Sequence, residues 1–308
     1  MILVVGGGFT GVGVSLALKE AGITDFLLLD REPEIMTQTS SNSFRLVHSG
    51  IRHLQNFNVL EYLRTTKALK ELLFRFHEMI IPVKVAVHIE KMPLFLRFFR
   101  LLKNPVFEII EGRFFKKKGF YLSWRDGYLL DPQALKTTFT EILKPNLMVQ
   151  EEVVEVCRDR VITSKKSIKF KKLVLACFPS FMNKLAPVFG WNIITDLKAV
   201  ETGICVGFRK RGRYLFAVQR LEGLAFGTWY TKNKPTKENI HESCRDIEEV
   251  FGITFKNYDL EIGTLPSDHT GNPIRVTKIL RNDNIWEVYP AKFTTFLVTG
   301  RYVASQLL

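Results

Sequence analysis

The chain is predicted to be an α/β protein that begins with a Rossmann-like βαβ unit. Three observations predict this. The apolar run Ile2-Leu3-Val4-Val5 leads straight into Gly6-Gly7-Gly8-Phe9-Thr10-Gly11. Residues 12–22 follow with helical character, and a second apolar run, Phe26–Leu29, ends in Asp30. Strand, glycine turn, helix, strand and acid in that order are the plan of a dinucleotide site. In that plan Gly6 permits the tight turn and Gly8 lets a pyrophosphate approach the backbone. Gly11 lets the helix sit close to the strand, the helix N-terminus offers N–H groups to phosphate, and Asp30 accepts from a ribose hydroxyl. A glycine-rich turn in an ordinary α/β unit is the plainer alternative.

The remaining elements are expected in a mixed order. Residues 59–76 have helical spacing. Residues 147–156 and 168–177 are expected as strands, the second apolar enough to be buried on both faces. Residues 202–208 and 214–228 are expected as antiparallel strands, 237–251 as a polar-faced helix and 294–308 as a final helix. Buried-type strands return late in the chain and antiparallel strands come between them. This order suits a nucleotide-binding part interrupted twice, with segments 1–55, 126–195 and 282–308. Segments 56–125 and 196–281 would then form an α+β substrate part with a mainly antiparallel sheet.

Composition narrows the class. With 308 residues the chain is long enough for about two domains. Its 46% hydrophobic content is that of a globular protein. No apolar run approaches the ~18 residues a membrane span needs. A strand starting at Ile2 leaves no room for a cleavable leader ahead of it, so the expected location is cytoplasmic. Cys157, Cys177, Cys205 and Cys244 lack metal or disulfide spacing and are expected as ordinary buried thiols, so no metal is expected. The net charge of +13 favours anionic partners such as phosphorylated substrates or an acidic membrane face. No zinc-finger spacing or RNA-binding signature is present, so nucleic acid is not expected as a partner. Residues 92–103 interleave Leu and Phe with Arg97, Arg100 and Lys103. They fit either a helix covering a sheet or peripheral contact at the inner face of a membrane.

Several segments resemble one known family in order along the chain. Thr39-Ser40-Ser41-Asn42-Ser43-Phe44-Arg45-Leu46-Val47-His48-Ser49-Gly50-Ile51-Arg52-His53-Leu54 resembles the TSSxSSKLIHGGLRYL segment of the FAD-dependent glycerol-3-phosphate dehydrogenases. These belong to the D-amino-acid-oxidase-like superfamily, whose nucleotide domain is glutathione-reductase-like. Asp126-Gly127-Tyr128 with Asp131 is similar to its DGxxxD element, Gly227-Thr228-Trp229 with Pro235 to GTTD…P, and Ala291-Lys292-Phe293-Thr294-Thr295 to GGKLTT. A counterpart of the family's C-terminal helical domain is not expected. The resemblance implies FAD bound by Gly6, Gly8, Gly11, Asp30, Arg31, Ser40, Ser41, Ser43, His48, Ser49, Gly50 and Val153. It adds the loop Lys292, Phe293, Thr294 and Thr295, with Lys292 stabilising reduced flavin. Ser40–Ser43 also fit a helix-capping cluster, and Lys292 a solvated side chain.

The implied reaction is hydride transfer from a small anionic secondary alcohol, glycerol 3-phosphate first, to flavin. A quinone or another acceptor would take the electrons. Arg52 is the expected anion anchor, because a guanidinium grips phosphate or carboxylate with two hydrogen bonds. His53 stands at the family's tyrosine position, His269 is a candidate base and Arg275 a second anchor. A structural ion pair, a surface histidine and a solvated charge are the respective alternatives. One departure bears on substrate: Gly263-Thr264-Leu265-Pro266 stands where the family has GxRP, so Leu265 replaces an anion-binding arginine. His48-Ser49-Gly50-Ile51 also resembles the HSGI of L-2-hydroxyglutarate oxidases. That makes a 2-hydroxy acid or amino-acid oxidase the first alternative and a non-catalytic flavin-binding subunit the second.

Overall fold

The computed structural model describes residues 1–42, 45–48, 59–89, 107–177, 185–198, 204–210, 213–268, 273–274, 277–289 and 293–308. Two sheets organise them. The smaller has six strands in the order Lys278–Asn282, Ile285–Tyr289, Lys172–Leu175, Ile2–Val5, Phe26–Leu29, Leu147–Met148. All neighbours are parallel except the antiparallel edge strand Lys278–Asn282.

Alternation along these strands explains why they read as unbroken apolar runs. Val4, Leu28 and Val174 point to one face, where they join Val12, Leu16, Leu72, Phe139 and Phe296 from the covering helices. Leu3, Val5, Leu29, Leu173 and Leu175 point to the other, against Val161, Ile168 and Phe170 of a three-stranded meander, Val153–Val156, Arg160–Thr163 and Ser167–Lys169. Both faces are dry, as a parallel sheet requires.

The larger sheet has nine strands. Its path is Asp259–Pro266, Pro187–Thr195, Leu224–Thr231, Arg213–Gln219, Ile204–Lys210, Ile80–Ile89, Lys117–Leu130 and Leu46–His48, with Phe107–Phe114 pairing on Lys117–Leu130. Every pairing is antiparallel except Ile204–Lys210 with Ile80–Ile89. The helix Lys237–Phe251 covers one face and buries Ile247, Val250 and Phe251 among Tyr121, Phe208 and Phe226. This helix has its expected bounds, and the reason is local. Thr236 and Asn239 form a reciprocal capping box, and Gly252, with φ 69°, ends it in the left-handed region.

Some elements differ from expectation. Residues 147–156 form two short strands, divided near Gln150, whose φ is 55°. Residues 168–177 contribute the end of Ser167–Lys169 to the meander and Lys172–Leu175 to the smaller sheet. Residues 214–228 are two strands joined by a turn at Gly223. Within the expected nucleotide segments, Pro187–Thr195 pairs in the larger sheet. Conversely, the helix Val59–Phe76 packs Leu69, Leu72 and Phe76 onto the smaller sheet's helices. The four cysteines are free; Cys205 is buried and the other three are partly buried.

The first helix, Phe9–Glu20, is buried along Phe9 to Leu18 because the last helix, Phe296–Leu307, crosses it at two glycines. A Cβ on Gly300 would stand 2.2 Å from the Gly13 carbonyl carbon and oxygen. Gly300→Val is therefore expected to push the helices apart. It should lower unfolding free energy by about 1–3 kcal/mol or more, the usual cost of overpacking a tight contact, measured by urea denaturation.

Candidate cofactor site

The three motif glycines do different jobs. Gly6 has φ 106°, and a Cβ there would meet Cys177 Cβ at 2.7 Å and the Ala176 carbonyl oxygen at 2.8 Å. A Cβ on Gly11 would stand 1.8 Å from the Gly6 carbonyl oxygen. Both are glycine because the chain's own packing demands it. Gly8 is different. It is the N-cap of the first helix with ordinary extended φ −71° and ψ 179°, and a Cβ there would meet only Ser40 Oγ, at 3.1 Å. Neither its backbone angles nor crowding by backbone accounts for a glycine. The side of the turn it opens is the approach to the helix N-terminus.

Three further groups converge on this turn. Asp30, at the end of Phe26–Leu29, accepts a hydrogen bond from the Gly7 amide and another from the Glu32 amide at 2.8 Å. Burial pushes the Asp30 carboxyl above its usual value, against the opposing pull of those two amides. Ser40 Oγ accepts from the Phe9 amide at 3.1 Å. The Phe296 ring at the start of the last helix lies 5.2 Å from the Phe9 ring. Two helix N-termini, both positive dipole ends, thus approach one another beside the turn, with buried Thr294 and Thr295 in the 3₁₀ turn Phe293–Thr295. Backbone amides, a carboxylate and hydroxyls around this turn form a donor and acceptor set that fits the pyrophosphate and ribose of a dinucleotide.

The other expected residues are placed less centrally. Arg31 is exposed and pairs with Glu32 at 3.2 Å and Glu152 at 3.8 Å. Ser41 donates to the Gln38 carbonyl of its own turn at 3.1 Å. Val153 is half-buried against the core beneath the meander. Asp131 caps the helix Pro132–Leu143, accepting from the Gln133 and Ala134 amides at 2.9 and 3.0 Å. Leu265 is half-buried on Asp259–Pro266, opposite Val188. Ser43, Ser49, Gly50, Arg52, His53, His269, Arg275 and Lys292 lie outside the described residues, as do the side chains of His48 and Phe293 and the segment 92–103.

Sequence reasoning missed the contacts that hold the serine segment. Thr39 Oγ1 accepts from the Thr264 amide at 2.8 Å, and Asn42 Nδ2 donates to the Ile262 carbonyl at 2.8 Å. Beside them Glu261 accepts from Arg45 at 3.1 Å and from Arg220 at 3.0 and 3.1 Å, and Glu222 pairs with both arginines. Asn192 bridges the Asn42 carbonyl and Glu261. Arg220 is only 4% exposed, and burial lowers its pKa while Glu261 opposes the shift. These partners stand far apart in sequence, so no spacing could have revealed them.

Comparison with known proteins shows the family. The model of the DAO family, described as FAD dependent oxidoreductase, matches residues 1–306, and the chain belongs to that family. FAD is the family's cofactor. The chain is 23% identical over 346 aligned positions to the aerobic glycerol-3-phosphate dehydrogenase of Staphylococcus aureus (strain USA300), covering 93% of this chain and 61% of that protein. Over 131 residues it is 29% identical to the probable mitochondrial glycerol-3-phosphate dehydrogenase of Caenorhabditis elegans (40% of this chain, 17% of that protein), so it spans less than two thirds of these curated relatives. In fold it is similar to L-alpha-glycerophosphate oxidase from Mycoplasma pneumoniae, solved with FAD bound (TM-score 0.73, 15% identity, 100% of this chain and 94% of that one). It is also similar to glycine oxidase from Bacillus cereus (TM-score 0.75, 12% identity, 99% and 94%). Among the described residues no helix is long and apolar enough to cross a membrane.

Glu261→Gln would leave two adjacent guanidiniums short of countercharge. It is expected to lower stability by about 3 kcal/mol, the lower end for breaking a buried pair because Glu261 keeps 15% exposure. Amide hydrogen exchange should quicken most in residues 38–42, which this cluster holds.

Proposed function

We propose that the protein is an FAD-dependent dehydrogenase or oxidase of small anionic secondary alcohols, with glycerol 3-phosphate as the preferred substrate. The observation that carries the cofactor half is Gly8, the motif glycine that the fold itself does not require. Its amide edge and the first helix's N-terminus hold the pyrophosphate. Asp30 accepts from a ribose hydroxyl, Ser40 fixes the first amide of the helix, and the Lys292–Thr295 loop borders the ring system. When bound, FAD supplies a two-electron acceptor for hydride. The smaller sheet and its helices hold this cofactor, and the larger sheet carries the substrate.

The substrate half rests on the run of family motifs in order and on the net charge of +13. Arg52 holds the substrate's anionic group, with Arg275 as a second cation. His53 bonds the reacting hydroxyl, and His269 is the candidate to take its proton. A quinone or other acceptor would be the electron partner, at a protein in the cytoplasm that touches the membrane surface peripherally. Leu265 favours a second reading. It removes one cation from the expected anion site, which suits a 2-hydroxy acid or amino acid whose carboxylate brings a single charge there in place of a phosphate.

Gly8→Val should abolish FAD binding while leaving the thermal transition of the apoprotein close to wild type, since a Cβ there meets only Ser40 Oγ. Flavin absorbance and circular dichroism on one preparation check both halves. Asp30 sets a pH dependence. The ionised carboxylate is the better acceptor, and its pKa is raised by burial. FAD affinity should therefore fall with decreasing pH, beginning above the usual carboxylate range near 4. Asp30→Asn should bind FAD more weakly at pH 7 and show a flat pH profile by fluorescence titration.

Anaerobic bleaching of bound flavin should be faster with glycerol 3-phosphate than with glycerol, lactate, 2-hydroxyglutarate or D-alanine. Arg52→Ala should cut kcat/KM by roughly 10²-fold with flavin retained, as expected for a lost charge-assisted hydrogen bond of about 2–3 kcal/mol. Preference for 2-hydroxyglutarate or an amino acid would select the second reading. Bleaching by none of them would indicate a flavin-binding subunit without turnover.

A further inference from the structure

The helix Val59–Phe76 has two unlike sides. Its buried side carries Thr65, Ala68, Leu69, Leu72 and Phe76, and Glu71 pairs with Arg75 and with Arg301 of the last helix. Its exposed residues are Val59, Leu60, Leu63, Arg64, Lys67, Lys70 and Phe74. Four are apolar, three are basic, and none is acidic. At about 100° per residue, all but Val59 fall within an arc of about 120°. Leu60 is 82% exposed and Phe74 86%, while Leu63 is 56% exposed. A solvated helix face normally interleaves acids with bases, and exposed large apolar groups on it are isolated. Within this helix the acids are Glu61, which pairs with Arg64 at 3.7 Å, and Glu71, with side-chain exposures of 8% and 13%; the exposed Glu78 follows in the next turn.

We infer that this outer face of Val59–Phe76 seats on an anionic lipid bilayer surface. Leu60, Leu63 and Phe74 enter the boundary between headgroups and acyl chains, and Arg64, Lys67 and Lys70 lie against anionic headgroups. Charge complementarity selects this occupant: an apolar face whose exposed charges within the helix, Arg64, Lys67 and Lys70, are all cations, on a chain of net charge +13, matches apolar lipid beneath a negative surface. The inference rests on this helix alone and stands whether or not glycerol 3-phosphate is the substrate. It also has a positional consequence. The same helix contacts the strand Leu46–His48 and the turn Phe293–Thr295, so the candidate cofactor site would lie on the membrane side of the molecule.

Co-sedimentation of the full chain with vesicles of phosphatidylcholine containing phosphatidylglycerol, and with phosphatidylcholine alone, tests this. The protein should pellet with the anionic vesicles, weakly with the neutral ones, and less as salt rises. Neutralising Lys67 or Lys70 with Gln should weaken binding about five-fold each, the factor expected for one basic residue at an anionic surface. The triple variant Leu60→Ser, Leu63→Ser, Phe74→Ser should lose binding with its circular dichroism and thermal transition kept. No pelleting of the wild type with anionic vesicles would overturn the inference, as would wild-type binding by the triple variant. Concentration-dependent dimerisation in light scattering, abolished by the triple variant and unaccompanied by vesicle binding, would assign the face to a second copy of the chain instead.

Discussion

The approach of Gly11 to the Gly6 carbonyl is the contact on which the rest of this structure depends. A Cβ at Gly11 would lie 1.8 Å from that oxygen, so the first helix can rest on the first strand only if no side chain intervenes. That distance fixes where the helix begins, and its beginning is the candidate site. The close crossing of Gly13 and Gly300 repeats the device one layer out and brings the N-terminus of the last helix alongside. Two close contacts between glycines thus bring two positive helix ends to one turn, with Asp30 held there by the Gly7 amide.

The second constraint is how the serine segment is held. Ser40 reaches the start of the first helix only because residues 38–42 are tied to Asp259–Pro266 through Thr39 and Asn42, beside the Arg45, Arg220, Glu222 and Glu261 cluster. The larger sheet therefore takes part in shaping the nucleotide side. Burying Arg220 and half-burying Arg45 has a desolvation cost, and pairing with two glutamates offsets it. Such a cluster specifies one docking of segment on sheet rather than adding much stability. That suits a site where a shift of an ångström would misplace a cofactor.

Much of the first sheet was legible in the sequence because its determinants are local. Ile2–Val5, the glycines, Phe26–Leu29 and Asp30 carry their instructions within thirty residues, and Lys237–Phe251 carries its own caps. The larger sheet was less legible. Pro187–Thr195 pairs with strands that end far along the chain, and nothing in its composition names those partners. Residues 114–117 lie outside every expected element, yet they turn a hairpin in which Phe115 has φ 54°. The helix Pro132–Leu143 had a usable signal in Asp131-Pro132, a cap followed by proline at the first turn, which the family-like reading of Asp131 overshadowed. Within the candidate site, glycines and acid were readable because backbone chemistry prescribes them. Arg45, Arg220 and Glu261 were not, because only the folded chain brings them together.

The most direct test of the central claim is a crystal structure of the protein with FAD. The pyrophosphate is expected within hydrogen-bonding distance of the amides at Gly8 and the first turn of Phe9–Glu20, against the bare Cα of Gly8, with Asp30 accepting from the adenosine ribose. A pyrophosphate bound elsewhere, leaving the Gly8 edge free, would contradict the account.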